Sequence, residues 1–304
     1  MNTLPFAQLQ LFAAVARHRS FSRAARELAL TRSALSQAVR QLEEQLGVSL
    51  LTRTTRSVAL TPAGAQLLGR VSPAFAEVTD ALRAVTAQPG ALVGRLRLSV
   101  PRSAVPYAIT PILPVFCALH PGVEVEVSID ERLVDIVAEG YDAGVRLIES
   151  IARDMLQVRL SAPFRFVVVA SPGYLAACGA PERPEDLAAH TCVPFRMKST
   201  QTLYAWEFER GARSWRVPVR GPAVTDDVGL SVALAEAGLG LAYTPEHVVE
   251  EALAAGRLVR VLEAYAPSVP GYFLYFPESG RASPTLRAFI EVVRAEVASR
   301  RGAG

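Results

Sequence analysis

Residues 20–43 read SFSRAARELALTRSALSQAVRQLE. Ser20 can cap a helix whose inner face is Phe21, Ala24, Ala25 and Leu28, with two alanines small enough for a close helix crossing. Ala29-Leu30-Thr31 breaks the pattern. Thr31 can then cap another helix running to about Leu46, and Gly47 can take the left-handed conformation that ends it. In this second helix Leu35, Val39, Leu42 and Leu46 face inward, which leaves Arg32, Ser33, Ser36, Gln37 and Arg40 exposed. Two short helices joined by a tight turn form a helix-turn-helix. Its second helix lies in the major groove with its first turns at the base edges. The residue types suit base reading, since Gln bonds adenine, Arg bonds guanine, and Ser serves bases or phosphates.

The flanks support this reading. Upstream, Phe6, Leu9, Phe12, Val15 and Ala16 recur at helical steps over residues 5 to about 17, with Pro5 suited to the first turn. Downstream, two apolar strands, Ser49 to Leu51 and Ser57 to Leu60, flank the basic tip Arg53-Thr54-Thr55-Arg56. This is a wing, whose Arg53, Thr54 and Arg56 would meet the sugar-phosphate backbone or minor groove of double-stranded DNA. Charge is distributed accordingly. Residues 1–62 hold eight arginines against three glutamates, a balance of +5, within a chain whose net charge is only +3. A basic segment beside a slightly acidic remainder points to a polyanionic partner.

The rest of the composition excludes several classes. No apolar run approaches the roughly 20 residues needed to cross a bilayer, and MNTLPFAQLQ lacks the order of a secretory signal. The three cysteines, Cys117, Cys178 and Cys192, have no CxxC spacing. They read as thiols in a reducing cytoplasm rather than a disulfide framework or zinc site. The four histidines fall in no metal or catalytic arrangement, and GxSxG and GxxxxGK[ST] sequences are absent. Gly238-Leu239-Gly240 lacks the third glycine of a dinucleotide site. No enzyme, catalytic residue, metal or cofactor is expected.

The run SFSRAARELALTRSALSQAVRQLEEQLGVSLLTRTTRSVALTPAG resembles the N-terminal domain of the LysR-type transcriptional regulators. The AA pair, the Ser near the recognition-helix centre, LE followed by LG, and LTPAG after the wing carry the likeness. Leu51 stands where the family usually has Phe, an apolar exchange that implies a change of packing only.

Thr61-Pro62 starts a further helix. Leu67, Val71, Phe75, Val78, Leu82 and Val85 form a narrow seam of coiled-coil spacing, interrupted by Pro73, which would kink the helix or shorten the contact. A second copy of the chain is the economical partner. The resemblance agrees, because in LysR proteins this linker helix pairs two subunits on a pseudo-palindromic site. Gln88-Pro89-Gly90 ends the segment.

From Gly94 the pattern becomes α/β. GRLRLSV is a strand, Pro101 to Leu119 a helix, residues 123–129 a strand, ERLVDIVAEG a helix closed by Gly140, and YDAGVR a strand. FRFVVVA, residues 164–170, is a buried strand. A second α/β set runs to about Leu262, before the strand GYFLYF and a final helix from about Pro284. Two lobes with crossings near Phe164 and Pro267 would enclose a ligand cleft. GYDAGVR, SPGYL, PEDLAAH and EAGLGLAYTP resemble the LysR effector-binding domain, which is similar to the two-lobed periplasmic solute-binding fold.

The expected architecture is therefore an all-α winged helix-turn-helix domain (1–61), a linker dimerisation helix (62–90) and an α/β two-lobed effector domain of the periplasmic-binding-protein type (91–300). Lobe I comprises 91–163 plus 268–300, and lobe II 164–267. Arg102 and Ser103 open a helix after the first strand, where free amides favour an anion. Arg146 ends its strand facing the cleft, Arg196 follows the strand TCVPF with Lys198 beside it, Thr225-Asp226 caps the helix containing Leu230, and Thr244 follows GLGLA. Several arginines around one cleft suit a carboxylate effector. The expected protein is a cytoplasmic, nucleoid-associated homo-oligomer, dimeric through the linker and tetrameric through the sensing halves, that controls access or recruitment of RNA polymerase. The alternative is a DNA-binding repressor or architectural protein without effector control.

Overall fold

The computed structural model of the protein describes residues 5–53, 58–86 and 91–302. The described chain forms two compact units. Residues up to Arg97, with 120–125 and 135–142, make the first; 98–119, 126–134 and 143 onward make the second.

The first unit begins with α1 (Phe6–His18), α2 (Phe21–Glu27) and α3 (Arg32–Leu46). Ser20 Oγ accepts from Arg23 N at 3.3 Å and Thr31 Oγ1 from Ala34 N at 3.2 Å, so both expected caps form. Gly47 ends α3 at φ 70°, the left-handed region that costs other residues a Cβ clash. Phe12, Val15, Ala24, Leu35, Val39 and Leu42 meet in one core. Leu46, expected inside, is 44% exposed, because it lies in the last turn beyond that core.

The hairpin is β1 (Leu51–Arg53) with β2 (Val58–Leu60), paired Leu51 to Leu60. Its first strand starts later than the expected Ser49. The preceding backbone is held by side chains instead: Glu43 Oε1 accepts from Leu50 N at 2.8 Å and Leu51 N at 3.0 Å. Thr61 Oγ1 donates to Ser49 O at 2.7 Å and accepts from Gly64 N at 3.0 Å. A Cβ on Gly64 would lie 2.0 Å from Leu50 O. The sequences LE and LTPAG are thus one joint between the third helix, the hairpin and α4 (Pro62–Thr86). α4 remains helical through Pro73. Of its seam, Leu67 and Phe75 pack partly on the head core while Val78 is 44% exposed; the side chains of Leu82 and Val85 lie outside the described residues.

After α4 the chain is built on two sheets. In chain order the elements are β3 (Val93–Val100), α5 (Leu113–Leu119), β4 (Gly122–Ile129), β5 (Ala143–Leu147), β6 (Leu156–Arg159), β7 (Phe164–Ala170), α6 (Pro172–Cys178), β8 (Trp206–Arg210), β9 (Arg213–Val217), α7 (Val228–Glu236), β10 (Ala242–Pro245), α8 (Glu246–Ala254), β11 (Val259–Val261), β12 (Ser268–Val269), β13 (Tyr272–Phe276) and α9 (Pro284–Gly302). One sheet has the order β4-β3-β5-β13-β6; in the other, β10, β11 and β12 all pair antiparallel to β7. Successive residues of β7 serve opposite cores. Val168 and Ala170 join Trp206 and Phe208, whereas Val167 and Val169 join Ala235 and Val249, the period of two that a sheet buried on both faces requires.

Two expected helices differ. Pro101 to Leu119 is a π-type turn over Val105–Ile109, closed by Thr110 N donating to Val105 O at 2.8 Å, followed by α5. Pro106, Pro111 and Pro114 withhold three amides, so a continuous helix cannot form. Residues 131–140 form turns rather than a helix. Asp135 Oδ1 caps a single turn by accepting from Val137 N and Ala138 N. The carbonyls of Asp130 and Arg132, which a helix would need, are taken by the Arg146 guanidinium.

Candidate functional site

The first candidate surface is the outer face of α3. Arg32, Ser33, Gln37 and Arg40 are exposed and Ser36 half-buried, while Leu35, Val39 and Leu42 point inward. Ser33 Oγ lies 3.1 Å from Thr31 Oγ1, so it belongs partly to the cap. The side chains of Arg32, Gln37 and Arg40 make no hydrogen bond or ion pair with another described residue. Polar groups on a helix that the core holds rigidly are what base reading requires. The backbone of Arg53 sits in β1 opposite Val58; its side chain, Thr54 and Arg56 lie outside the described residues. Nearby, His18 Nε2 and Arg17 contact the Glu27 carboxylate. The hydrogen bond from His18 is the main cause of that carboxyl's lowered pKa.

The second candidate lies in the second unit. Ser103 is a meeting point: His247 Nε2 donates to its carbonyl at 2.9 Å and Tyr272 OH to its Oγ at 2.8 Å. The His247 ring stacks on Tyr107 at 4.2 Å and stands edge-on to Phe164 at 4.7 Å. Burial pushes its pKa below the ordinary histidine value, partly opposed by the Ser103 hydrogen bond and by Glu250 and Glu246. The imidazole is therefore neutral at pH 7.

Beside Ser103, Arg102 Nε pairs with Asp227 Oδ2 at 3.0 Å. Its backbone N–H donates to Glu131 Oε1 at 2.8 Å. Burial raises the Glu131 pKa, offset in part by that hydrogen bond and by the charges of Arg146 and Lys198, with Asp227 reinforcing it. Lys198 Nζ pairs with Asp226 at 3.3 Å. The loops around Ser103 thus carry Arg102, Lys198, Glu131, Asp226 and Asp227 in one cluster.

Four expectations change. Arg146 does not offer its guanidinium to the cleft: it is 5% exposed and donates to the carbonyls of Ser99, Val145, Asp130 and Arg132. It braces the loops behind the site. The cap of α7 is Asp227, whose Oδ1 accepts from Leu230 N at 2.8 Å, rather than Thr225-Asp226; Thr225 Oγ1 accepts from Asp227 N at 3.0 Å. Thr244 is fully buried in β10 and its hydroxyl donates to Pro245 O at 3.4 Å. Arg196 is exposed and bonds Gln201 O at 2.7 Å. Its backbone pairs with Thr225 by an N–H to carbonyl bond of 2.7 Å, and TCVPF forms isolated bridges instead of a strand. The sequence pattern does not single out Glu131 or Asp227. Nothing local distinguishes them from surface acids, since their partners are more than a hundred positions away or on another loop.

A helix-turn-helix followed in the chain by a two-lobed α/β domain is the architecture of a DNA-binding transcriptional regulator. Residues 6–65 match the bacterial regulatory helix-turn-helix proteins of the lysR family, and residues 89–298 the LysR substrate binding domain. A Pseudomonas aeruginosa protein assigned to transcriptional regulation is 40% identical over 93% of this chain and 92% of its own. The HTH-type transcriptional regulator PgrR of Escherichia coli K12 is 35% identical over 96% of this chain and 97% of its own. The solved structure of CrgA, a LysR-type transcriptional regulator from Neisseria meningitidis, superposes with a TM-score of 0.58 at 27% identity, covering 95% of this chain and 98% of that one. The chain belongs to the LysR family of bacterial transcriptional regulators, which are DNA-binding proteins and not enzymes. Among the described residues no helix is long and apolar enough to cross a membrane.

Proposed function

We propose that the protein is a homo-oligomeric regulator that reads a pseudo-palindromic promoter site through α3 and answers to a small effector held between the two sheets. The observation that carries this reading is the α3 face itself: Arg32, Gln37 and Arg40 stand exposed on a helix whose opposite side is locked into the head core. The hairpin arginines would add phosphate contacts, and Arg53→Ala would weaken all DNA sequences alike and flatten the salt dependence. A second copy would pair along α4, where Val78 is exposed, and tetramers would form through the effector domains. The effector would shift the lobes and so the heads, altering access or recruitment of RNA polymerase. The coupling is limited to the difference in ligand affinity between the two arrangements.

A second reading, a repressor or architectural protein without effector control, is favoured by one feature. Arg102 and Lys198 are already paired with the protein's own aspartates, Asp227 and Asp226.

The test of DNA reading is selection of bound fragments from the source genome, followed by footprinting. Two related half-sites about one helical turn apart, or a multiple of it, are expected for a symmetric dimer. Gln37→Ala should relax preference at one position of each half-site by about 1–3 kcal/mol. Equal loss on specific and nonspecific DNA would remove Gln37 from base reading.

A further inference from the structure

We propose that the effector is a zwitterion, an amino acid or short peptide with an apolar side chain, whose ammonium is taken by Glu131 and whose carboxylate is taken by Arg102 and Lys198. This rests on the cleft being the effector site and names the class of ligand that site would hold.

Charge matching is the first ground. Arg102 and Lys198 are each already paired with an aspartate, Asp227 at 3.0 Å and Asp226 at 3.3 Å. A ligand carrying only a carboxylate must displace one of these aspartates, which is then left without its cation beside two other acids. Glu131 deepens that penalty. It is half-buried, it accepts from the Arg102 backbone at 2.8 Å, and no cationic side chain among the described residues lies within ion-pair distance of it. With Arg146, whose buried guanidinium also acts on Glu131, the six side chains sum to zero charge, which a net-neutral ligand leaves unchanged. A ligand bearing both signs exchanges pairs without stranding any group: its carboxylate replaces an aspartate on Arg102 or Lys198, and its ammonium meets Glu131 and the released acid.

The rim supplies the third element. Leu203, Val224 and Leu230 are 45%, 46% and 51% exposed. Each is tied to the charged loops: Leu203 bridges to Arg196, Val224 precedes Thr225, and the Leu230 amide binds Asp227. Large apolar groups held at the edge of an ionic cluster suit an apolar ligand side chain.

The experiment uses the full chain in thermal-shift and calorimetric titrations with L-leucine, L-methionine, L-phenylalanine and the dipeptide Leu-Leu. Each is matched by its N-acetyl derivative, which lacks the ammonium, and its amide, which lacks the carboxylate. At least one unmodified compound is expected to raise the midpoint at about 10 mM or below, with both matched derivatives inert. Glu131→Gln keeps an acceptor for the Arg102 amide, so it preserves the loop, and should weaken binding roughly 10- to 100-fold. Equal shifts from the N-acetyl derivatives, abolished by Arg102→Ala, would overturn the zwitterion and keep the cleft as the effector site. A shift from the free compounds that survives both Arg102→Ala and Glu131→Gln would place the ligand elsewhere and overturn both readings. No shift from any of the free compounds would overturn the zwitterion class.

Discussion

Glu43 is an acid near the end of α3, and its removal should harm DNA binding without removing any DNA contact. Its Oε1 accepts from the amides of Leu50 and Leu51 at 2.8 and 3.0 Å, and those residues are 1% and 5% exposed. Hydrogen bonds to a charged group contribute about 1.5–3 kcal/mol each, and donors buried without partners cost more than the bond alone. Because one oxygen serves both donors, their contributions are not additive, so a total of about 3 kcal/mol is expected for Glu43→Ala. That corresponds to roughly a hundredfold increase in local opening. Hydrogen exchange of peptides covering residues 48–53 in the full chain measures it directly. Glu43→Gln keeps one neutral acceptor and should accelerate exchange only about tenfold. DNA affinity should fall as the hairpin loosens, with an unchanged slope of log affinity against log salt, because no phosphate contact is lost. Unaltered exchange in Glu43→Ala would refute the reasoning, since the joint would then be held by packing alone.

The same joint predicts that Gly64→Ala separates α4 from Leu50, where a Cβ would sit 2.0 Å from the carbonyl; loss of DNA binding and a lower melting midpoint are expected, and wild-type values for both would show that the backbones part at no cost. Arg146→Ala should destabilise the chain by about 3 kcal/mol in urea titration, because four backbone carbonyls each lose a donor; an unchanged midpoint would return Arg146 to a ligand-binding role. For His247 the folded pKa is depressed by burial, so the unfolded chain binds more protons once pH falls through about 6.5 and stability declines on acidification. Wild type should lose more of its thermal midpoint between about pH 7.5 and 5.5 than His247→Asn, which cannot titrate there. Parallel curves would show that the ring contributes nothing to the dependence.

What could be read from the sequence was local. Ser20, Thr31 and Gly47 announce helix ends because capping involves residues only two or three apart, and Phe12, Leu35, Val39 and Leu42 announce a core through their spacing. What could not be read was set by distant partners. ERLVDIVAEG has helical spacing, yet Arg146 claims the carbonyls that helix would use. Two consecutive aspartates gave no local reason to choose Asp227 over Asp226 as the cap; Lys198 settles it by pairing with the other. The three arginines expected around the cleft also separate only in three dimensions. Arg102 faces the opposing aspartate, Arg146 braces from behind, and Arg196 fastens its own loop through Gln201.

That separation bears on how a signal could leave the cleft. Arg102 and Ser103 are adjacent in the chain but are held from opposite sides: Arg102 by Asp227 at the head of α7, Ser103 by His247 of α8 and Tyr272 of β13. The contacts of Ser103 lie among aromatic rings and are half-buried. The Arg102–Asp227 pair is more open, with side chains 61% and 36% exposed, and exposed pairs contribute only about 0–1 kcal/mol. The two attachments therefore differ in strength within one residue of each other. A ligand competing for Arg102 displaces the weak one while the aromatic anchor persists, so the loop would turn about Ser103 instead of detaching. A pivot of that kind costs little to move, which suits coupling energies of about 1–3 kcal/mol between sites.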